Sequence, residues 1–229
     1  ATYALNGGTI GANIGAGAAT ASSGTTTLNG SLLATTLAID GGTIALGSNG
    51  RIDNNTAVIL SAGVLDMGTF LDGVGSFTMT GGTVDGSGTL SSVVTGYDLQ
   101  GGTINANLGT GTATVSTGTT DLNGNLGGNL TASSGVANVG GTIAGSVTVS
   151  GGTVNVESAD RIGDTSAVSV SSGTLDFAGN DTVGAVQLTG GTITGAGTVT
   201  GASYDVQSGT ISAALAGAGA MTKTGAGTT

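Results

Sequence analysis

A Gly-Thr step recurs along the chain at nearly even intervals, and this period constrains the fold more than any other feature. Its glycines are Gly8, Gly24, Gly42, Gly63, Gly82, Gly102, Gly118, Gly135, Gly152, Gly173, Gly191, Gly209 and Gly227, spaced 16 to 21 residues apart with a mean near 18. Val64 and Val136 take the place of the threonine in two of them. Further copies at Gly88, Gly141 and Gly197 each follow a main one by six residues, a third of the period. A self-similar period of this length is the signature of stacked repeat architectures, and its division by three predicts three short faces per turn.

Within each period the pattern is that of strands. Ile10, Ala12 and Ile14 alternate with small or polar residues, as do Ile104, Ala106 and Leu108, and again Ile211, Ala213 and Leu215. Alternation with one apolar face marks half-buried β-structure. The chain has 48 glycines among 229 residues and no proline. Such a glycine load opposes helix at about 1 kcal/mol per glycine, and proline would remove a ladder donor in every turn. Collagen is excluded by the missing triplet period. The expectation is an all-β, single-stranded parallel β-helix (a β-solenoid) of about 13 coils of about 18 residues, running as one body through 1–229. At about 4.8 Å per strand, that is a rod of about 60 Å. The uneven intervals favour a right-handed helix over a left-handed hexapeptide solenoid.

A longer repeat overlies the short one. The segment Tyr3–Gly15 returns as Tyr97–Gly109 and again as Tyr204–Ala216. This gives internal copies at 3–96 and 97–203 and the start of a third at 204–229. Arg51-Ile52 and Arg161-Ile162 form a second marker. Their positions imply one extra turn in the second copy, an insertion that stacked arrays tolerate. Because the chain begins and stops inside repeats, it is expected to be a fragment of a longer protein.

The stretch Met221-Thr-Lys-Thr-Gly-Ala-Gly-Thr228 resembles the autotransporter-associated β-strand repeat, with Ala220-Met221 departing from the usual Gly-Leu. Arg161–Gly179 and Val186–Val199 look like sequence within such passengers. The resemblance implies a right-handed parallel β-helix. It also implies a secreted or bacterial cell-surface location, with outer-membrane association through a part not present in this chain.

Composition narrows the chemistry. Three basic residues stand against thirteen acidic ones, for a net charge of −10. That leaves no electrostatic basis for nucleic-acid binding. No apolar stretch is long enough to insert this segment directly in a membrane. Without Cys or His, thiol nucleophiles, His-based triads and the usual transition-metal ligands are ruled out, and no cofactor is expected. Asp160 and Asp164 flank Arg161 and invite comparison with the paired carboxylates of glycosidases; a solvated turn is the plainer reading. Asp53, Asp66, Asp72 and Asp85 are hard oxygen ligands without a calcium-binding spacing and read as incidental surface carboxylates. If Ile10 points inward, Thr9 points outward. The same logic aligns Thr43, Thr83, Thr103, Thr153, Thr174, Thr192 and Thr210 into an outward threonine ladder. Tyr3, Tyr97 and Tyr204 read as residues that pack a corner rather than adhesive contacts.

These observations lead to a non-catalytic structural or adhesive stalk segment, a rigid spacer. Its expected partners are itself, end to end or laterally, or host and surface ligands. The alternatives are a polysaccharide-degrading β-helix enzyme, or ice or glycan binding through the threonine ladder.

Overall fold

A computed structural model of the chain describes residues 1–225. Among the described residues there is no helix, and the regular structure is strand throughout. The chain divides into two compact units, Ala1–Thr112 and a second that begins at Ala113. Each is a parallel β-solenoid, and together they make about twelve turns roughly 18 residues apart. The step at Gly227 and the end of the Lys223 motif lie outside the described residues.

Each turn has three faces. In the first unit, the first face stacks Ala18–Ala21 on Thr2–Ala4, and the stack continues through the opening of Thr36–Leu46, the opening of Ala57–Asp66, Ser76–Met79 and Tyr97–Leu99. The second face stacks Gly8–Ile10, Thr25–Leu28, the second half of Thr36–Leu46, the second half of Ala57–Asp66, Thr83–Asp85 and Gly102–Ile104. The third begins as single bridges, Ile14 to Leu32 and Leu32 to Ile52, and becomes strands at Leu71–Val74, Thr89–Ser92 and Asn107–Leu108. The second unit repeats the plan, with bridges Leu126 to Ile143 to Ile162 preceding strand pairing of Asp181–Leu188 with Thr198–Val206. A shift in register around Asp40 and around Ser150 bends a long strand from the first face to the second.

The Gly-Thr step now has a physical cause. It forms the corner that opens the second face, and its glycine carbonyl accepts the Thr N–H of the next turn. Thr43 N donates to Gly24 O at 2.8 Å, Thr103 N to Gly82 O at 3.0 Å and Thr153 N to Gly135 O at 2.9 Å. The same glycines stand so close to one another that a side chain on Gly63 or Gly173 would strike the backbone of Gly42 or Gly152.

Alternation sends every second side chain inward, where each stacks on its equivalent. On the first face of the first unit the inward column runs Ala19, Leu37, Val58, Phe77, Tyr97, and its members are 0 to 2% exposed. The second unit carries Leu130, Val147, Val168, Val186 and Tyr204 in the same column. Burial of one such Val or Leu stabilises by about 1.5–3 kcal/mol. No single turn could enclose its own apolar residues, so stability comes from stacking.

Candidate functional site

The outward threonines of the second face were the residues singled out for a surface role. Thr43, Thr83 and Thr103 do stand in one rank, with Thr25 below Thr43 and Val64 between Thr43 and Thr83. In the second unit Thr153, Thr174, Thr192 and Thr210 share a rank that begins at Thr119 and Val136. Their neighbours Ile44, Val84, Ile104, Val154, Leu175 and Ile193 are buried, as alternation requires.

Thr9 does not belong to this rank. It stands opposite Thr27, two residues further along the strand, and Gly8 stands opposite Thr26. The cause is Thr26, which is fully buried at a position that holds Ile44 one turn later. Its hydroxyl accepts the Gly7 N–H at 3.0 Å, so Ile10 packs over Leu28 instead.

A second rank runs beside the threonines, two residues on. Over part of its length it is made of amides and carboxylates bonded from turn to turn. Asn138 Nδ2 donates to Asp121 Oδ1 at 2.8 Å, Asn155 Nδ2 to Asn138 Oδ1 at 2.8 Å, and Asn105 Nδ2 to Asp85 Oδ1 at 3.1 Å. Asparagines also close corners by accepting a backbone N–H of the following turn. Examples are Asn13 from Ser31, Asn49 from Leu71, Asn129 from Ser146 and Asn180 from Thr198, each at 2.9 Å.

Asp72, which the sequence offers only as an incidental surface carboxylate, and Asp181, which nothing in the sequence reading marks, are both core residues. Both occupy inward positions of the third face, in columns otherwise built of Leu, Ile and Val, and they are 4% and 2% exposed. Each carboxylate takes the two successive N–H groups of an Arg-Ile marker one turn earlier. Arg51 N donates to Asp72 Oδ2 at 2.6 Å and Ile52 N to the same oxygen at 3.2 Å. Arg161 N and Ile162 N donate to Asp181 Oδ2 at 2.9 and 3.1 Å. A signal was present: both aspartates open an Asp-x-Val-Gly sequence, 21 residues after Arg51 and 20 after Arg161. The arginine side chains turn elsewhere, Arg51 to the carbonyls of Asn29 and Asn49 and Arg161 to Ser158 Oγ.

Burial pushes both carboxyl groups above the usual carboxylate range. The bonds from Ile52, Arg51 and Gly73 and the Arg51 charge oppose this at Asp72. At Asp181 the Arg161 and Ile162 N–H groups oppose it, while the Asp160 and Asp164 charges add to it. A carboxyl raised in the fold binds more protons than it does in the unfolded chain between the two pKa values. Its stabilising effect is complete below the unfolded value and is lost as pH rises through the folded one. The urea midpoint should therefore fall as pH rises above the ordinary aspartate value of about 4, and Asp181→Asn should flatten that fall. A midpoint that rises over the same interval would contradict the assignment.

Asp160 is exposed and, among the described residues other than glycine, alone has positive φ, at 53°. Its counterpart in the first unit is Gly50, with φ 63°. Both donate N–H to the residue before the buried aspartate, Gly50 to Leu71 O and Asp160 to Asn180 O, each at 3.0 Å. Asp160→Gly relieves the left-handed strain and removes a charge near Asp181. It is expected to stabilise by about 1 kcal/mol, read as a shift in urea midpoint. Asp160→Ala, which keeps the strain, should gain less.

Asp53, offered as a hard ligand, instead accepts from Asn55 N and Nδ2, both at 2.9 Å. Among the described residues no group of three or more acidic side chains is placed to hold a metal ion. An open hollow of about 580 Å³ lies against Ser91–Gly96 and Thr110–Thr112, walled by hydroxyls, two valines and backbone. Tyr97 and Tyr204 are buried, and their phenols bond to backbone: Tyr97 Oη donates to Leu90 O at 2.9 Å, and Tyr204 Oη accepts from Gly201 N at 2.6 Å. Comparison of the chain with protein-family models, with curated proteins and with solved structures finds no match.

Proposed function

We propose that the chain is a non-catalytic spacer segment of a secreted or cell-surface bacterial protein of the autotransporter passenger kind. The observation that carries this reading is where the polar side chains are directed. Asp72, Asp181, Asn49, Asn129, Asn138 and Asn180 all bond to a neighbouring turn. Groups able to act on a substrate are used here as rungs between turns, which stiffens each unit along its stack. The repeat at Lys223 and the threonine-faced exterior fit the same role.

The test is to display an epitope on bacteria beyond this chain, fused to an outer-membrane anchor, and to compare it with a Gly-Ser linker of equal length. On cells with a thick surface polysaccharide, the solenoid should keep the epitope open to antibody and the flexible linker should not. Equal accessibility would count against a spacer.

A further inference from the structure

Asn-Gly steps are the sites where a protein chain loses ammonia most readily, because glycine leaves its own backbone nitrogen free to approach the asparagine side chain. The sequence holds four, at Asn6, Asn29, Asn49 and Asn123. At Asn49 both reacting groups are bonded to the same residue of the next turn. Gly50 N, the nucleophile, donates to Leu71 O at 3.0 Å. Asn49 Oδ1, on the carboxamide that would be attacked, accepts from Leu71 N at 2.9 Å. The step also lies immediately before Arg51 and Ile52, whose N–H groups Asp72 holds.

We propose that Asn49 is a deamidation site latched by the strand Leu71–Val74, and that it ages only when that strand lifts away. In the reaction the Gly50 nitrogen bonds to Asn49 Cγ, and the bond from Cγ to the side-chain nitrogen breaks. The proton of the Gly50 N–H departs with the nitrogen as ammonia. Water then opens the succinimide to aspartate or isoaspartate, with no oxidant or reductant involved. Isoaspartate lengthens the backbone by one carbon between Asn49 and Gly50, which takes Gly50 and Arg51 out of register with Leu71 and Asp72. A single opening thus becomes a permanent loosening of the clasp. The second unit carries Ala159-Asp160 at the equivalent place and has no carboxamide there to react.

The wild-type chain is aged in mildly alkaline buffer, folded and in concentrated urea. Products at residue 49 are then counted by peptide mapping that separates aspartate from isoaspartate. In the folded chain Asn49 should convert at least about tenfold more slowly, since conversion waits on local opening. Asp72→Ala frees Arg51 and Ile52 from the strand and should speed conversion at Asn49. Asn29, whose Gly30 N–H is held by Ile10 O, should change little. Equal rates at Asn49 in folded and unfolded chains overturn the proposal, as does a folded Asp72→Ala chain with an unchanged rate. If Asp72→Ala unfolds the unit, both sites accelerate together, and wild-type chain in sub-denaturing urea decides. Selective acceleration at Asn49 supports the latch, and parallel acceleration of both sites overturns it.

Discussion

Gly173→Ala should destabilise the second unit by about 3 kcal/mol or more. Two effects act together. Gly173 has φ 79°, where a side chain costs about 1–2 kcal/mol. The new Cβ would also be driven into the Gly152 carbonyl oxygen, which lies in the preceding turn. Relief requires the two turns to part, and that strains the pairing of Val147–Val156 with Val168–Phe177 on both sides of the corner. Gly50→Ala is the control, because φ is again positive but nothing lies within 4 Å of its Cβ. Only the backbone cost applies there, about 1 kcal/mol. Urea unfolding of the two variants separates steric from conformational cost. Equal losses would mean that the corner glycines are set by φ alone.

Phe77→Ala should cost about 3–5 kcal/mol. Phe77 is 1% exposed and sits in the inward column between Val58 and Tyr97. Its ring meets the Tyr97 ring edge to face, with centroids 6.4 Å apart and planes at 68°. The backbone ladder fixes the distance between turns, so the neighbours cannot collapse into the gap. Phe70→Ala, only half buried, should cost clearly less. A loss at Phe77 below about 1 kcal/mol would show that the turns can close over the missing ring.

What was legible in the sequence follows from what a repeat displays. The period predicted stacked turns, its division by three predicted three faces, and Ile-x-Ala-x-Ile predicted which side chains turn inward. The packing of Tyr97 and Tyr204 was readable because each opens a long repeat. Thr9 was misplaced because alternation tells which side a residue faces and not which residue of the next turn it stands on. That choice rested on Thr26, a buried hydroxyl in an apolar column, and no local pattern marks it. Asp72 reads as a surface carboxylate, and Asp181 goes unmarked, for a related reason. Their partners are backbone N–H groups about twenty residues earlier, and an aspartate inside a column of leucine and isoleucine contradicts the alternation used to find the core. The Asp-x-Val-Gly pair carried the information, but its meaning appears only once the Arg-Ile markers lie against it. The asparagine corners are likewise bonds across 16 to 18 residues in most cases, a separation at which side-chain pairing leaves no trace in local composition.

The step of roughly 18 residues between paired strands, which varies by only a few residues from turn to turn, has a kinetic consequence. Closing a loop costs entropy that depends on its length, and here every new turn closes a loop of about the same length on a surface already formed. The barrier to adding a turn is therefore nearly independent of how many turns exist. Such a chain can grow by accretion from whichever end is released first, with each turn templating the next. The two Asp clasps, which need the whole preceding Arg-Ile turn in place before a buried carboxylate finds its partners, would then act as pauses at which growth either registers correctly or reverses.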